Sequence, residues 1–144
     1  MTNDGDLANR LTHPRYGHEK EYKVLLARRP DDRQLQAWKR GVVLEDGHRT
    51  APAQVRFSST SGKGAWVQVI MGEGRKRQIR ETGLLLGLPV VRILRTRIGS
   101  LRLGNLKPTI TDNYELKLEY PRDCPGRQRG TLGERGKLGF ITEQ

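Results

Sequence analysis

The chain has 144 residues, 34% of them apolar and 30% charged, which is the size of one domain able to bury a core. Its 27 Lys and Arg stand against 16 Asp and Glu, a net charge of +11 that speaks of a polyanionic partner, nucleic acid or an anionic membrane, rather than of a fold. One cysteine, Cys124, excludes a disulfide within the chain, the scattered His13, His18 and His48 give no zinc pattern, and apolar runs such as Leu84-Leu85-Leu86 fall far short of the ~20 residues of a membrane span.

The first residues are polar and acidic, unlike a signal or transit peptide. With the lone cysteine they point to a reducing, cytoplasmic setting. Asp6 or Asn9 is expected to cap a short helical turn toward Leu11, ended before Pro14. Residues 19–27 read as a strand, with Lys20, Tyr22, Val24 and Leu26 on one face. Pro30-Asp31-Asp32 opens a short helix that turns Leu35 and Trp38 inward and stops at Gly41.

Val42 to Leu44 reads as a brief strand, and Glu45-Asp46-Gly47-His48 as a turn. Ala53 to Ser58 is a strand, Ser58 to Gly64 a flexible polar loop, and Ala65 to Met71 the best strand pattern in the sequence. Glycines at 72 and 74 break it. Arg75 to Leu86 reads as a helix, although Gly83 inside it costs roughly 1 kcal/mol relative to Ala. Val90 to Ile98 and Leu101 to Leu103 are strands, and Tyr114 to Tyr120 alternates like another. Residues 121–144 hold few large apolar groups and are expected to be disordered or loosely attached. Strands outnumber helices without regular alternation, so the expected class is α+β with a mixed, mainly antiparallel sheet.

Charge is concentrated in the middle. Residues 62–107 carry 10 basic and 2 acidic side chains, while residues 108–144 carry 6 of each. A solvated basic face is the plain reading, and a phosphate-tracking groove the sharper one. Within this region Gly72 to Arg80 is the most informative stretch. Arg75, Lys76 and Arg77 are expected in the first turn of a helix, where cations oppose the macrodipole unless an anion is bound. Arg77 and Arg80, three apart, are expected to face the same way.

Several ordered stretches carry a family resemblance. They are Thr2-Asn3-Asp4-Gly5, Leu11-Thr12-His13-Pro14, Lys20-Glu21-Tyr22-Lys23-Val24, Gly41-Val42, Leu44-Glu45-Asp46-Gly47 and Ala51-Pro52-Ala53. Glu73-Gly74-Arg75, Arg77-Gln78-Ile79-Arg80, Gly87 with Pro89-Val90, and Arg97-Ile98-Gly99 through Leu101-Arg102-Leu103-Gly104 continue the series. Together they resemble the Rsu family of ribosomal RNA pseudouridine synthases, collinearly over residues 2–107.

The resemblance implies an isomerase without a cofactor or a metal. It flips a uridine out of ribosomal RNA, breaks its glycosidic bond, rotates the base and rejoins it through carbon 5. Tyr22 is implied to stack on the target base, with Lys20 facing the site or a phosphate. Ile79 is implied to lie against the uracil and Arg80 to pair with a catalytic aspartate. Gln78 and Arg77 match the same motif and are implied to support the site or contact the RNA substrate, and the basic run Arg75, Lys76 and Arg77 is expected, from its charge, to bind RNA. Tyr22, Arg80 and Ile79 are therefore expected to line one cleft. The plainer alternative makes Tyr22 and Ile79 core residues and the arginines solvated.

The family's catalytic aspartate stands in a Gly-Arg-Leu-Asp stretch just before Leu-Thr-Asn-Asp-Gly, and residues 1–144 contain no Gly-Arg-Leu-Asp. The expectation is a partial catalytic domain over 1–107, inactive alone, with a divergent extension over 108–144. Arg80, lacking that aspartate, is expected to find another carboxylate or lean to solvent. A missing strand would leave a sheet edge prone to self-association. RNA is the expected partner and a membrane is not. A non-catalytic RNA-binding module of the same fold is the rival reading.

Overall fold

The computed structural model describes residues 2–105, together with 114–115 and 137–138. Chain order gives helix α1 (Gly5–Thr12), a 3-10 turn (Pro14–Tyr16), strand β1 (Lys20–Leu26), helix α2 (Asp32–Arg40) and strands β2 (Gln54–Ser61) and β3 (Gly64–Met71). Helix α3 (Gln78–Leu85) and strands β4 (Val90–Ile98) and β5 (Leu101–Arg102) follow, then a two-residue pair of β6 (Tyr114–Glu115) with β7 (Lys137–Leu138). The expected disorder of residues 121–144, and the strand expected over 114–120 beyond Glu115, lie outside the described residues.

Five strands form an antiparallel sheet in the order β2-β3-β1-β4-β5, so the α+β reading stands and the principal sheet contains no parallel pair. Strand β1 is central because Val24 and Leu26, both fully buried, are flanked on their own face by Val67 and Ala65 of β3 and by Ile93 and Val90 of β4. Trp38 of α2 and Ile79 of α3 close over that face, forming one cluster with Val24, Leu26, Val55, Val67, Val69 and Leu88. We call this the front of the sheet.

Local chemistry explains the helices. Asp4, not Asp6 or Asn9, caps α1 by accepting from the Leu7 N–H at 2.9 Å. In α2 the Asp31 carboxylate accepts from the Gln34 N–H at 2.7 Å while the Gln34 side chain accepts from the Asp31 N–H at 2.9 Å, a reciprocal capping box. Gly83, costly by helix propensity, has a packing reason: a Cβ there would lie 2.7 Å from both the Leu88 carbonyl oxygen and Val90 Cγ2.

Three expectations change. The polar stretch after Ser58 is strand as far as Ser61, because β3 offers it partners through Gly64 and a register shift between Phe57 and Ser59 absorbs the mismatch. Val42 to Leu44 makes only a single bridge, Val43 with Arg49, closed by a bond from the Leu44 N–H to the His48 carbonyl at 2.8 Å. Helix α3 starts at Gln78 rather than Arg75. Arg77 is its cap residue in left-handed conformation at φ 61°, the one non-glycine with positive φ among the described residues.

Candidate functional site

The front face ends in polar residues. Lys20 and Tyr22 continue the row of Val24 and Leu26 along β1, and Arg95 of β4 stands directly opposite Tyr22. Tyr22 is half-buried and leans on the core cluster, whereas Arg95 is exposed, so the Tyr22 row reaches solvent on its β4 side. Burial raises the Tyr22 phenol above its ordinary range, and the Arg95 guanidinium across the strand pair opposes that shift.

Lys20 is only 8% exposed. Burial, and then the like charge of Arg95, hold its ammonium below the ordinary lysine range. Gly74 permits this burial, since a Cβ there would stand 3.3 Å from Lys20 Cδ. Among the described residues no carboxylate pairs with Lys20 or Arg95. Two cations therefore flank a tyrosine with no anion between them, an arrangement suited to receive a carboxylate or a phosphate.

The turn before α3 is held by its own polar bonds. Gln78, 3% exposed, accepts from the Arg75 N–H at 3.1 Å and donates to the Glu73 carboxylate. Glu73 also accepts from the Ala51 N–H at 2.7 Å, and Arg75 pairs with Asp46 at 2.8 Å. These contacts tie the basic turn to the Glu45–His48 turn. Gln78 thus acts within the scaffold, while the side chains of Arg75, Lys76 and Arg77 are exposed. Because Arg77 lies outside the helix, it does not share a helix face with Arg80, and Arg75, Lys76 and Arg77 do not form a helical first turn.

Ile79 is 7% exposed and joins the cluster against which Tyr22 packs. Arg80 is half-buried and donates from its guanidinium to the Val90 carbonyl at 3.3 Å. It thus takes a neutral acceptor, neither the carboxylate nor the solvent expected for it. Val90 stands opposite Leu26, so that bond lies about 13 Å along β1 from Tyr22. No described hydrogen bond joins Arg80 to Tyr22.

Arg95 is the residue that sequence alternation misses. Simple alternation puts Arg95 and Arg97 on one face, but a bulge at Thr96 sends Arg95 to the front opposite Tyr22 and Arg97 to the back opposite Glu21. Nothing in the local sequence announces the bulge. Among the described residues there is no grouping of His, Cys, Asp and Glu that would hold a metal, and no helix long and apolar enough to cross a membrane.

A family described as RNA pseudouridylate synthase matches residues 1–83. That range contains Lys20, Tyr22, Gln78, Ile79 and Arg80. A ribosomal large subunit pseudouridine synthase E of Xanthomonas campestris is 39% identical over 123 residues, covering 75% of this chain and 65% of that protein. A ribosomal large subunit pseudouridine synthase B of Escherichia coli K12 is 41% identical over 103 residues, covering 72% of this chain and 35% of that one. An uncharacterized RNA pseudouridine synthase of Aquifex aeolicus is 38% identical over 108 residues, covering 75% and 43%. The chain thus spans 35 to 65% of the length of these relatives. A solved pseudouridylate synthase superposes with a TM-score of 0.61 at 29% identity, covering 69% of this chain and 42% of that one.

Proposed function

The chain belongs to the RNA pseudouridylate synthase family, and from that membership we propose that it is the tyrosine-bearing part of the catalytic domain of a ribosomal RNA pseudouridine synthase of the Rsu type. The reaction is an isomerisation. The bond from ribose carbon 1′ to N1 breaks, a bond from carbon 1′ to carbon 5 forms, and one proton leaves carbon 5 while N1 gains one. Atoms balance without an oxidant or a carrier, so the protein supplies binding, orientation and charge.

Tyr22 offers the open side of its ring to a flipped uracil, a sequence-tolerant contact worth about 1–3 kcal/mol. Ile79, packed in the same cluster, stiffens the apolar wall behind it. The observation that carries the reading is the pair of cations, Lys20 and Arg95, beside that ring, with no partner among the described carboxylates. They suit the phosphate of the target nucleotide, and Arg80 suits a catalytic aspartate once the Val90 carbonyl releases it. Asp4 is a poor candidate for that aspartate, because its carboxylate is engaged in capping α1. Arg75, Lys76 and Arg77 extend the basic surface toward neighbouring phosphates. We read residues 1–107 as the catalytic part and 108–144 as an extension of it. A cytoplasmic setting follows from the substrate, and the outer edge of β2 offers a route to self-association.

The test is pseudouridine formation on ribosomal RNA by residues 1–144 and by a form extended at its N-terminus with a Gly-Arg-Leu-Asp segment. Turnover by an extended chain that contains the Gly-Arg-Leu-Asp stretch, and none by residues 1–144, is the expected result. Robust turnover by residues 1–144 would show that the catalytic residue lies within them, with Asp6 and then the capping Asp4 the first to be tested. RNA binding with no turnover by either form would favour the non-catalytic module.

A further inference from the structure

The back of the sheet carries a second cationic surface with a different design. Cross-strand partners on this face line up as Ser59–Trp66–Leu25–Arg92 and, in the next row, Arg56–Gln68–Lys23–Leu94. Lys23, Arg56 and Arg92 are exposed, and among the described residues no carboxylate pairs with any of them. Trp66 and Leu25 are half-buried and stand apart from the front cluster. Neighbouring strands lie about 4.8 Å apart and same-face side chains about 7 Å apart along a strand, so the three cations surround Trp66 within roughly 10 Å.

Charge complementarity selects the occupant. The end of the face beyond Lys23 carries two described carboxylates, and both are already engaged: Glu21 by Gln68 at 2.9 Å, Thr96 at 3.1 Å and Arg97 at 3.2 Å, and Glu19 by Arg97 at 3.0 Å. Nothing there neutralises Lys23, Arg56 or Arg92. An aromatic ring framed by bare cations on an open antiparallel sheet combines a base-stacking platform with phosphate counter-charges.

We propose that this back face binds single-stranded RNA, with a base on Trp66 and backbone phosphates on Lys23, Arg56 and Arg92, independently of the Tyr22 site on the front. The surface requires RNA to be the partner but does not require catalysis. It provides a separate hold on RNA flanking the segment that reaches the front of the sheet.

Trp66 reports on its own occupancy. The sequence contains two tryptophans, and the other, Trp38, is 3% exposed in the core. A Trp66→Phe chain, which leaves the core untouched, supplies the Trp38 background to subtract. The full 144-residue chain is titrated with a short oligouridylate at low salt while the Trp66 emission is followed. Saturable quenching is expected. Lys23→Ala, Arg56→Ala and Arg92→Ala together should weaken it at least tenfold and reduce the salt slope by about two, near 0.7 per lost single-strand phosphate contact. Arg75→Ala, Lys76→Ala and Arg77→Ala together should leave the quenching intact. RNA binding with unchanged Trp66 emission would overturn the proposal. So would quenching lost in the second triple variant and kept in the first. Trp66 emission already shielded in the free chain, and indifferent to RNA, would show that protein covers the face and would also overturn it. None of these readouts depends on pseudouridine formation, so the back face can fail while the front reading stands, or the reverse.

Discussion

The two sides of β1 treat charge in opposite ways. Toward the back, Glu21 is 9% exposed and its carboxylate is fully engaged by Gln68, Thr96 and Arg97, while Arg97 also reaches Glu19 at 3.0 Å and the Gly99 carbonyl at 2.9 Å. Toward the front, the neighbouring residues Lys20 and Tyr22 meet Arg95 and no described anion. A buried charge with every partner in place serves the fold. A buried charge left without one costs stability and is tolerated where an outside group completes the set. Adjacent residues of one strand thus divide satisfied charge from charge that meets no described partner.

The largest effect that would break this contrast is at Glu21. Glu21→Ala strands Arg97 and leaves Gln68 and Thr96 without an acceptor, and should cost about 3 kcal/mol. Denaturant unfolding checks it, and a loss under 1 kcal/mol would mean that the back network is not structural. Lys20→Met should do the reverse. Removing a buried, unpaired ammonium should leave stability unchanged or raise it by up to about 1 kcal/mol, while the affinity for RNA falls. A destabilisation as large as that of Glu21→Ala would erase the distinction between the faces.

Acid response sharpens the comparison further. Hydrogen bonding from Gln68 is the leading cause that holds the Glu21 carboxyl below the ordinary glutamate range, with Arg97 and Thr96 adding to it against the cost of burial. Because the folded value is depressed, its contribution is full above the unfolded value and is lost as pH falls below about 4. Glu21→Gln should therefore flatten the acid limb of a melting-temperature profile. Lys20→Met should leave that limb in place, since the Lys20 shift acts near the alkaline end. An unchanged limb in Glu21→Gln would assign acid sensitivity to other carboxylates.

Much of this was legible in the residues. The alternation of Lys20, Tyr22, Val24 and Leu26 places them on one face, and Pro30-Asp31-Asp32 marks the start of α2. What was hidden depends on partners distant in sequence. The bulge that separates Arg95 from Arg97 exists only in register with Glu21 and Tyr22. The left-handed turn at Arg77 sits among the bonds that Gln78 and Glu73 make, and those tie residues 73–78 to Ala51, more than twenty positions away. A helical period continued backward from Ile79 gives no sign of it. Gly83 looked like a weakness in α3 until the Leu88 and Val90 atoms beside it were placed.

The front site is tested most directly at Tyr22, with pseudouridine formation on ribosomal RNA measured for the form extended with the Gly-Arg-Leu-Asp segment. Tyr22→Phe keeps the ring and Tyr22→Leu removes its aromatic face while filling similar apolar space. If the ring holds the flipped base, Tyr22→Leu should lose on the order of 10- to 100-fold or more in turnover, the worth of one base stack, with melting temperature nearly unchanged, and Tyr22→Phe should retain substantially more. Turnover by Tyr22→Leu at the unsubstituted rate would contradict the account and return Tyr22 to the core.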